Sequence, residues 1–203
     1  MSFLSRITVN SQVAAKLGLH NSYEWHRRLW KAFPGREEDE RDFLFRVDEK
    51  NGEFRVYLLS PIKPAIPDWG EWETKAISST FLQHKEYIFS LRANPTVKRV
   101  VRDSNGLRKK NGRRAAITSP EELTAWIKQK ASEAGCELNE LELNPPLEQR
   151  FYRKGSSGKH ISIDFQGKLK VKDQKAFVNA YDKGIGPAKG FGFGLLLLKP
   201  ISK

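Results

Sequence analysis

The sequence predicts an α+β protein with two tandem ferredoxin-like units, in each of which strands and helices follow the order βαββαβ. Strand patterns of period two alternate with capped helical patterns in that order along the chain. The turn signal Lys-Asn-Gly at residues 50–52 joins two strands in a hairpin. Prolines between residues 61 and 70 then interrupt any regular pattern. We therefore predict an N-terminal domain at residues 1–85 and a C-terminal domain at residues 86–203.

The N-terminal unit is predicted to begin with a strand at residues 2–9, which leads into a loop around residues 14–20. A helix then spans residues 21–35, because an asparagine can cap its start and a proline–glycine pair ends it. The hairpin follows at residues 43–59. Residues 72–82 fit a further irregular strand or a short helix, so this unit has no obvious second helix.

The C-terminal unit has the clearer pattern of the two. Alternating apolar residues begin its first strand at Tyr87, and Ser119-Pro120 starts a helix that stops at Gly135. The later predicted elements are strands at residues 136–143 and 151–154, a pair of strands at residues 160–171 around Gln166-Gly167, a helix capped by Asp173, and a final strand at residues 195–199.

The composition indicates a folded, basic protein. Lysine and arginine number 36 against 24 acidic residues, which gives a formal net charge of +12. Such an excess attracts polyanions, so nucleic acid is the first partner to consider, although a basic protein can also lack one. The segment at residues 98–114 is dense in lysine and arginine. It is predicted to be a mobile basic loop, which either contacts phosphates or is only solvated.

Several classes of function are disfavoured. The single cysteine, Cys136, argues against a disulfide framework and a multi-cysteine zinc site, and it suits a reducing cytoplasm. The sequence has neither a secretory leader pattern nor an apolar run that could span a bilayer, so a cytoplasmic protein without a membrane partner is predicted. The aspartates are scattered and no two histidines have ligand spacing, so neither a metal nor a small-molecule cofactor is expected.

The helix at residues 21–35 concentrates reactive side chains on one sector. At about 100° per residue, its apolar face holds Trp25, Leu29, Ala32 and Phe33, and the neighbouring sector holds Tyr23, His26, Arg27, Trp30 and Lys31. A histidine can exchange a proton near neutral pH, and a tyrosine hydroxyl can orient or donate. Arg27 and Lys31 can hold an anion beside them. The alternative is that His26 is a buried or capping residue of the fold.

The glycine-rich segment at residues 184–194 invites a nucleotide-binding interpretation. A dinucleotide fingerprint follows a strand and opens a helix, whereas this segment follows a helix and opens a strand. It also lacks the Gly-Lys-Ser/Thr of a Walker loop. Two interpretations remain, which are phosphate contact through backbone amides and Lys189, or a structural turn before the last strand.

An RNA partner would suit these residues. The 2′-hydroxyl of RNA is an internal nucleophile, so cleavage needs a base, an acid and cations for the developing charge, with no metal. Tyr23 and His26 can bracket one phosphate from one helix face. Arg27, Lys31 and Lys189 are the candidate cations.

Several blocks of sequence occur in the order of a known family. They are YEWHRRLWKAFPG at residues 23–35, RDFLFRV at 41–47, FSLRANPTVKRV at 89–100, AWI at 125–127, SSGKHISIDFQGKLKV at 156–171 and GIGPAKGFGFGLLLL at 184–198. Together they resemble the CasE endoribonucleases, which process CRISPR precursor RNA in type I-E systems and belong to the repeat-associated mysterious protein superfamily. The resemblance covers nearly the whole chain.

The resemblance implies a double ferredoxin-like fold and an enzyme that recognises a hairpin in CRISPR repeat RNA. It implies metal-independent cleavage at the base of that stem, which leaves a 2′,3′-cyclic phosphate and a 5′-hydroxyl. The enzyme would then stay on the mature guide RNA as a subunit of the Cascade surveillance complex, which acts in antiviral defence.

The resemblance also assigns residues. The catalytic histidine and tyrosine of the family fall on His26 and Tyr23. The basic residues of a late hairpin, which enter the RNA major groove, fall on Arg153 and Lys154. Further positions that approach the RNA in the family fall on Lys159, Gly184, Gly186 and Lys189.

Two other functions stay open on the sequence. One is a non-catalytic RNA-hairpin-binding subunit of the same fold, in which Tyr23 and His26 bind or pack. The other is a basic DNA-binding or ribosome-associated protein. That protein would bind duplex DNA or ribosomal RNA with little preference for a hairpin.

Overall fold

The computed structural model describes residues 2–36, 39–100, 107, 113–153 and 156–201, except for the side chains of residues 113, 153 and 156. Its strands are β1 (Phe3–Asn10), β2 (Leu44–Lys50), β3 (Glu53–Ser60), β4 (Glu71–Ala76), β5 (Glu86–Ala93), β6 (Thr96–Arg99), β7 (Arg113–Ala116), β8 (Cys136–Leu143), β9 (Leu147–Arg153), β10 (Ser156–Val171) and β11 (Leu196–Pro200). Its helices are α1 (Ser11–Lys16), α2 (Ser22–Trp30), α3 (Pro120–Glu133) and α4 (Gln174–Lys183), with 3-10 turns at Thr80–Gln83 and Lys189–Phe191. None of these helices combines the length and the apolar character that crossing a membrane would require.

Two antiparallel sheets form the framework of the fold. One has the strand order β2-β3-β1-β4, and the other has the order β11-β5-β10-β8 with β9 paired to β10. In each sheet the first strand of the unit lies between the third and the fourth, which is the ferredoxin-like order. The predicted fold class is confirmed. The domain boundary predicted near residue 85 falls between β4 and β5 and remains a prediction.

The first sheet packs one face against α1 and α2. Ile7 of β1 and Leu58 of β3 are fully buried there with Leu29 of α2. Asn10 caps α1, since its Oδ1 accepts a hydrogen bond from the Val13 amide at 2.8 Å. The predicted loop around residues 14–20 is therefore wrong in its first part, which is helical. In the described residues this unit has no α-helix between β3 and β4, and only a 3-10 turn follows β4.

The second sheet packs against α3 and α4. Tyr87, Phe89 and Leu91 point inward from β5 at alternate positions and are all buried. The predicted helix starts are confirmed. The Ser119 hydroxyl accepts a hydrogen bond from the first turn of α3, and the Asp173 carboxylate does the same for α4.

The predicted turn at Gln166-Gly167 is wrong, because β10 runs through it without reversing. A Cβ atom on Gly167 would lie 2.0 Å from the Glu140 carbonyl oxygen, so the close approach of β8 requires a glycine here. The pairing register with β8 shifts between Lys168 and Leu169, which marks a bulge. The glycine thus serves strand packing and not a turn.

Replacing Gly167 with alanine is expected to lower the free energy of unfolding by about 3 kcal/mol, because the added methyl group must displace the backbone of β8. The measurement is chemical denaturation of the purified variant. Gly18→Ala is the control, since Gly18 also has a positive φ (+68°) but has no atom of a residue beyond its two chain neighbours within 4 Å of its Cβ position. That control should lose about 1 kcal/mol. Equal losses in the two variants would contradict the packing role.

A cluster of charged side chains joins the two sheets. Arg46 and Asp48 lie on β2, whereas Arg92 lies on β5 and Asp164 lies on β10. Arg92 donates to both Asp164 carboxylate oxygens, at 2.7 and 2.8 Å, and contacts Asp48 at 3.0 Å. Arg46 donates to Asp48 at 2.8 Å and to the Ser90 hydroxyl of β5 at 2.9 Å. These contacts hold the edge of the first sheet against the second.

The basic segment at residues 98–114 is described only in part. Its two ends belong to β6 and β7, which pair with each other as a two-stranded ribbon. Residues 101–106 and 108–112 lie outside the described residues, so the predicted mobile loop stays a prediction.

Candidate active site

Helix α2 carries the side chains that the sequence predicts to be catalytic. The Asn21 side chain caps the helix, since its Oδ1 accepts a hydrogen bond from the Tyr23 amide at 2.9 Å. Trp25 and Leu29 are buried against the first sheet and so fix the helical register. Tyr23 and His26 lie one turn apart, and both are half-buried.

The His26 imidazole is held by aromatic side chains. Trp30 Nε1 donates a hydrogen bond to His26 Nε2 at 3.0 Å. The ring also stacks on Phe45, with centroids 6.1 Å apart, and meets Phe43 in an edge-on contact at 5.7 Å. Because an indole N–H can only donate, Nε2 is the acceptor and the proton of the neutral imidazole lies on Nδ1. The contacts therefore define the orientation of the ring and its tautomer.

The glycine-rich segment of the C-terminal unit lies against this imidazole. An ideal Cβ position on Gly190 is 3.7 Å from His26 Cε1 and 3.8 Å from His26 Nδ1. The same position is 3.8 Å from Arg41 Nε. Because the residue is a glycine, this point holds no side chain. His26 of one unit and the glycine-rich segment of the other thus border a common space.

Arg41 is a site residue that the sequence analysis did not single out. Its Nη1 donates a hydrogen bond to the Phe43 carbonyl oxygen, and its guanidinium carbon lies 6.0 Å from the Phe43 ring centroid. Burial lowers the pKa of Arg41. Burial and the neighbouring Arg41 charge lower the pKa of Lys189. The available signal was an arginine three residues before the strand β2, within the block RDFLFRV.

A cleft of about 280 Å³ opens between the two units beside this site. One wall comes from the start of α2 and from β2, and the other comes from β9 and the glycine-rich segment. The lining residues include Asn21, Ser22, Phe45, Arg92, Arg150 and Phe191. The N-terminus of α2 faces this cleft and favours an anion there, whereas Arg92 and Arg150 are paired with carboxylates and Glu49 also lines the cleft.

The hairpin of β9 and β10 is docked against the glycine-rich segment through aromatic rings. Phe151 of β9 stacks on His160 of β10 with centroids 4.9 Å apart. Phe151 also contacts Phe191 of the glycine-rich segment at 4.4 Å, and His160 contacts the same ring at 4.7 Å. The hairpin and the segment beside His26 therefore share one packed cluster.

The opposite face of this hairpin is basic. Arg150 and Lys159 are cross-strand neighbours, and each pairs with Glu148 at 2.8 Å. Arg153 lies opposite Ser156 in the register, at the last described position of β9. The Arg153 side chain and the whole of Lys154 lie outside the described residues, so their predicted contacts stay predictions.

The other predicted cations of α2 point to solvent. Arg27 is exposed and pairs with Glu24 at 3.3 Å, and Lys31 is exposed at the end of the helix. Neither has a described contact with the glycine-rich segment. Their role as RNA ligands stays a prediction.

Two predicted glycines have packing neighbours. A Cβ atom on Gly184 would lie 2.8 Å from both methyl carbons of Leu44, and one on Gly186 would lie 3.1 Å from the Trp126 ring. Both residues have a positive φ. These contacts explain why the chain uses glycine there without any ligand, while RNA binding by these positions stays a prediction.

The remaining histidines and carboxylates do not assemble a recognisable metal site in the described part of the chain, where no three His, Cys, Asp or Glu side chains are grouped as ligands. His160 Nδ1 lies 3.0 Å from Asn94 Nδ2, and burial lowers the pKa of His160. It is therefore a packing residue, held between the rings of Phe151 and Phe191. Chemistry without a metal stays a prediction.

These features define a class of protein with two ferredoxin-like units, a cleft between them, and a fixed histidine beside a glycine-rich loop. The chain belongs to the CRISPR associated protein family, whose family profile matches residues 2–200. The family assignment made from the sequence blocks is confirmed.

Two curated relatives match the chain over nearly its full length. The chain is 30% identical over 207 residues to the CRISPR system Cascade subunit CasE of Escherichia coli (strain K12), with 98% of the chain and 100% of that relative covered. It is also 30% identical over 221 residues to the CRISPR-associated endoribonuclease Cse3 of Thermus thermophilus, with 98% and 100% covered.

Two solved structures also match the chain over nearly its full length. The CRISPR-associated protein Cas6e from Escherichia coli K-12 matches with a TM-score of 0.77 and 27% identity, over 99% of this chain and 100% of that one. The CRISPR endoribonuclease Cse3 bound to a 19-nucleotide RNA matches with a TM-score of 0.78 and 26% identity, over 98% and 100%. The double ferredoxin-like fold is thus shared with both.

Proposed function

We propose that the chain is a site-specific, metal-independent endoribonuclease that cleaves CRISPR precursor RNA at the base of the repeat stem-loop. The products are a 2′,3′-cyclic phosphate and a 5′-hydroxyl. The endoribonuclease activity of the relative Cse3, named as such, and the RNA in its solved structure support this proposal.

The observation that carries the proposal is the placement of His26. The imidazole is held by Trp30 and Phe45 in one unit, and its Nδ1 borders Gly190 of the other. A proton-transfer group therefore lies where the two units meet, next to the cleft that has room for an anionic strand. A histidine used only for packing would not need to border a space without a side chain.

The chemistry requires two proton transfers at one phosphate. The 2′-oxygen bonds to phosphorus as it loses its proton to a base, and the bond to the 5′-oxygen breaks as that oxygen gains a proton from an acid. His26 and Tyr23 supply these transfers. The transition state carries added negative charge, which Lys189 stabilises.

The proposed RNA-binding residues lie on three parts of the chain. They are Arg27 and Lys31 on α2, Arg153, Lys154 and Lys159 on the hairpin, and Gly184, Gly186 and Lys189 in the glycine-rich segment. Residues 1–85 form the domain with the catalytic helix, and residues 86–203 form the domain with the hairpin and the glycine-rich segment. The cleft between them receives the base of the RNA stem.

After cleavage the protein stays on the guide RNA as a subunit of Cascade in the cytoplasm. Support comes from the relative CasE, which is named as a Cascade subunit. Retention of the product would make the enzyme appear single-turnover even if the chemistry is fast. The partners are then the repeat RNA hairpin and the other Cascade subunits.

The decisive experiment uses the repeat hairpin of the organism that encodes the chain. Purified protein in excess over RNA should cut that hairpin at one position in the presence of EDTA. Replacing the 2′-hydroxyl at the cut position with hydrogen should abolish the cut, because internal attack becomes impossible. Cutting of the deoxy-substituted RNA, or loss of all cutting in EDTA, would refute the mechanism.

The alternative is a non-catalytic subunit that binds the same hairpin. Such a protein would bind the RNA tightly and leave it intact under every condition. The same gel that detects the cut also reports this outcome. Tightly bound but intact RNA would mean that Tyr23 and His26 bind RNA or pack in the fold.

A further inference from the structure

Arg41 borders the same point as His26, and its positive charge acts on the neighbouring Lys189. In the part of the chain that the structure describes, neither Arg41 nor Lys189 has a carboxylate within ion-pair distance. The nearest acidic neighbour in sequence, Asp42, pairs with Arg36 at 2.9 Å, and its charge offsets only part of the effect of burial on the pKa of Arg41. The Arg41 guanidinium is instead held by the Phe43 carbonyl oxygen.

This arrangement is unfavourable for the protein alone. Both side chains are partly buried, and each is desolvated enough for its pKa to fall. Bringing two cations together out of water costs free energy unless an anion joins them. A fold that keeps such a pair fixed, with one member anchored to backbone, has the character of a preorganised anion site.

The space for the anion lies next to Gly190. Arg41 Nε and His26 Nδ1 are each 3.8 Å from the ideal Cβ position of Gly190, and outside the neighbouring residues 189 and 191 no heavy atom is closer than 3.7 Å. Lys189 is the adjacent residue of the same 3-10 turn. One phosphate oxygen would therefore find a guanidinium and an imidazole around a single point, with the Lys189 charge near enough to interact with Arg41.

We propose that Arg41, together with Lys189, binds a non-bridging oxygen of the scissile phosphate in the space above Gly190. This inference rests on the proposed function and adds to it a ligand for the reacting group. Arg41 then holds the phosphate beside His26 and stabilises the charge that grows on its oxygens during attack. Its guanidinium suits this role, because its planar donors match phosphate oxygens.

The test measures binding to an RNA that cannot be cut. The probe is the repeat hairpin with a 2′-deoxy nucleotide at the cut position, carrying either a normal or a methylphosphonate scissile linkage. The wild-type protein should bind the uncharged linkage about tenfold more weakly. In Arg41→Gln that penalty should shrink to about twofold. Equal penalties in the two proteins would overturn the assignment.

Cleavage of the unmodified hairpin supplies the second readout. Arg41→Gln should slow single-turnover cleavage about 100-fold, and Arg41→Lys should recover part of the rate because it keeps a positive charge. Arg6→Gln is the matched control, since Arg6 is an exposed arginine of β1 that pairs with Glu73. Its loss of affinity for the methylphosphonate linkage and its cleavage rate should both equal those of the wild type.

Gly190→Ala keeps the test valid if Arg41→Gln does not fold. A methyl group at Gly190 would meet no atom closer than 3.7 Å outside the neighbouring residues 189 and 191, and the backbone there has no positive φ, so the variant should fold normally. It occupies the proposed phosphate position and should lower both the rate and the linkage penalty. An unchanged rate and penalty would count against the site.

The outcomes also separate this inference from the proposed function. If the wild-type protein leaves the hairpin uncut, the proposed function itself is wrong. If the wild-type protein cuts the hairpin but the linkage penalty does not depend on Arg41, only the phosphate site is wrong.

Discussion

Replacing His26 with alanine is expected to slow cleavage of the repeat hairpin by between about 100-fold and 10,000-fold, the range found for the loss of a general acid or base. RNA affinity should stay within about threefold. The ring that is lost packs mainly on Trp30, Phe43 and Phe45 of the protein and contributes little charge to the cleft. The measurement is the single-turnover rate at saturating protein, together with a binding titration on uncut RNA.

His84→Ala is the control for this prediction. His84 is an exposed histidine in the connection between β4 and β5, where its ring lies 6.0 Å from that of Tyr87. Its removal should leave the cleavage rate unchanged. If His26→Ala cuts at the wild-type rate, or if both variants slow equally, His26 does not transfer a proton in the reaction.

The parts of the fold that the sequence predicts well are those with local signals. Caps at Asn21, Ser119 and Asp173 and the hairpin at residues 50–52 depend on backbone groups a few residues away, and all of them form as expected. The short helix α1 was missed, because its Asn10 cap comes at the end of a strand and its six residues leave little periodicity.

Gly167 shows why other predictions go wrong. A Gln-Gly pair between two apolar runs fits a turn and also fits a bulge within one strand. Only the approach of Glu140 from β8, 27 positions earlier in the chain, decides between them. That contact is set by how the sheet assembles, so no window of local sequence contains it.

The candidate site also has one part that local sequence predicts and one part that only the assembled fold shows. Helical periodicity puts His26 and Trp30 on one sector, and the structure joins them by a hydrogen bond. The neighbourhood of Gly190, His26 and Arg41 brings together three distant segments, so composition and spacing could not reveal it. Arg41 was therefore absent from the predicted site even though its block of sequence was singled out.

Asp164→Asn is expected to lower the free energy of unfolding by about 3 kcal/mol, because it removes the charge partner of buried cations. Arg92 keeps at most one of its two hydrogen bonds, because an amide has a single acceptor oxygen, and Arg46 loses a carboxylate 3.7 Å away. Since these residues connect β2 with β5 and β10, the loss should also loosen the two units around the cleft. Chemical denaturation at pH 7 measures the first effect, and the cleavage rate of the folded variant measures the second.

The pH dependence of stability gives this prediction a second test. Burial alone would raise the pKa of Asp164, but the hydrogen bonds and charge of Arg92, with the charge of Arg46, lower it below its usual value of 3.8. A carboxylate with a lowered pKa in the folded state contributes stability above its unfolded pKa, and that contribution is lost as the pH falls through the folded value. The difference in stability between the wild type and Asp164→Asn should thus be complete at pH 7 and should shrink below about pH 4.

Glu140→Gln is the matched control, since Glu140 forms an exposed pair with Lys168 at 2.7 Å between β8 and β10, the strand that also carries Asp164. Exposed pairs contribute little, so this variant should stay within about 1 kcal/mol of the wild type at every pH. Comparing the two variants distinguishes the effect of the charged cluster between the sheets from the effect of an exposed ion pair. If both variants lose the same stability, the contacts between the sheets are not what holds His26 of one unit against the glycine-rich segment of the other.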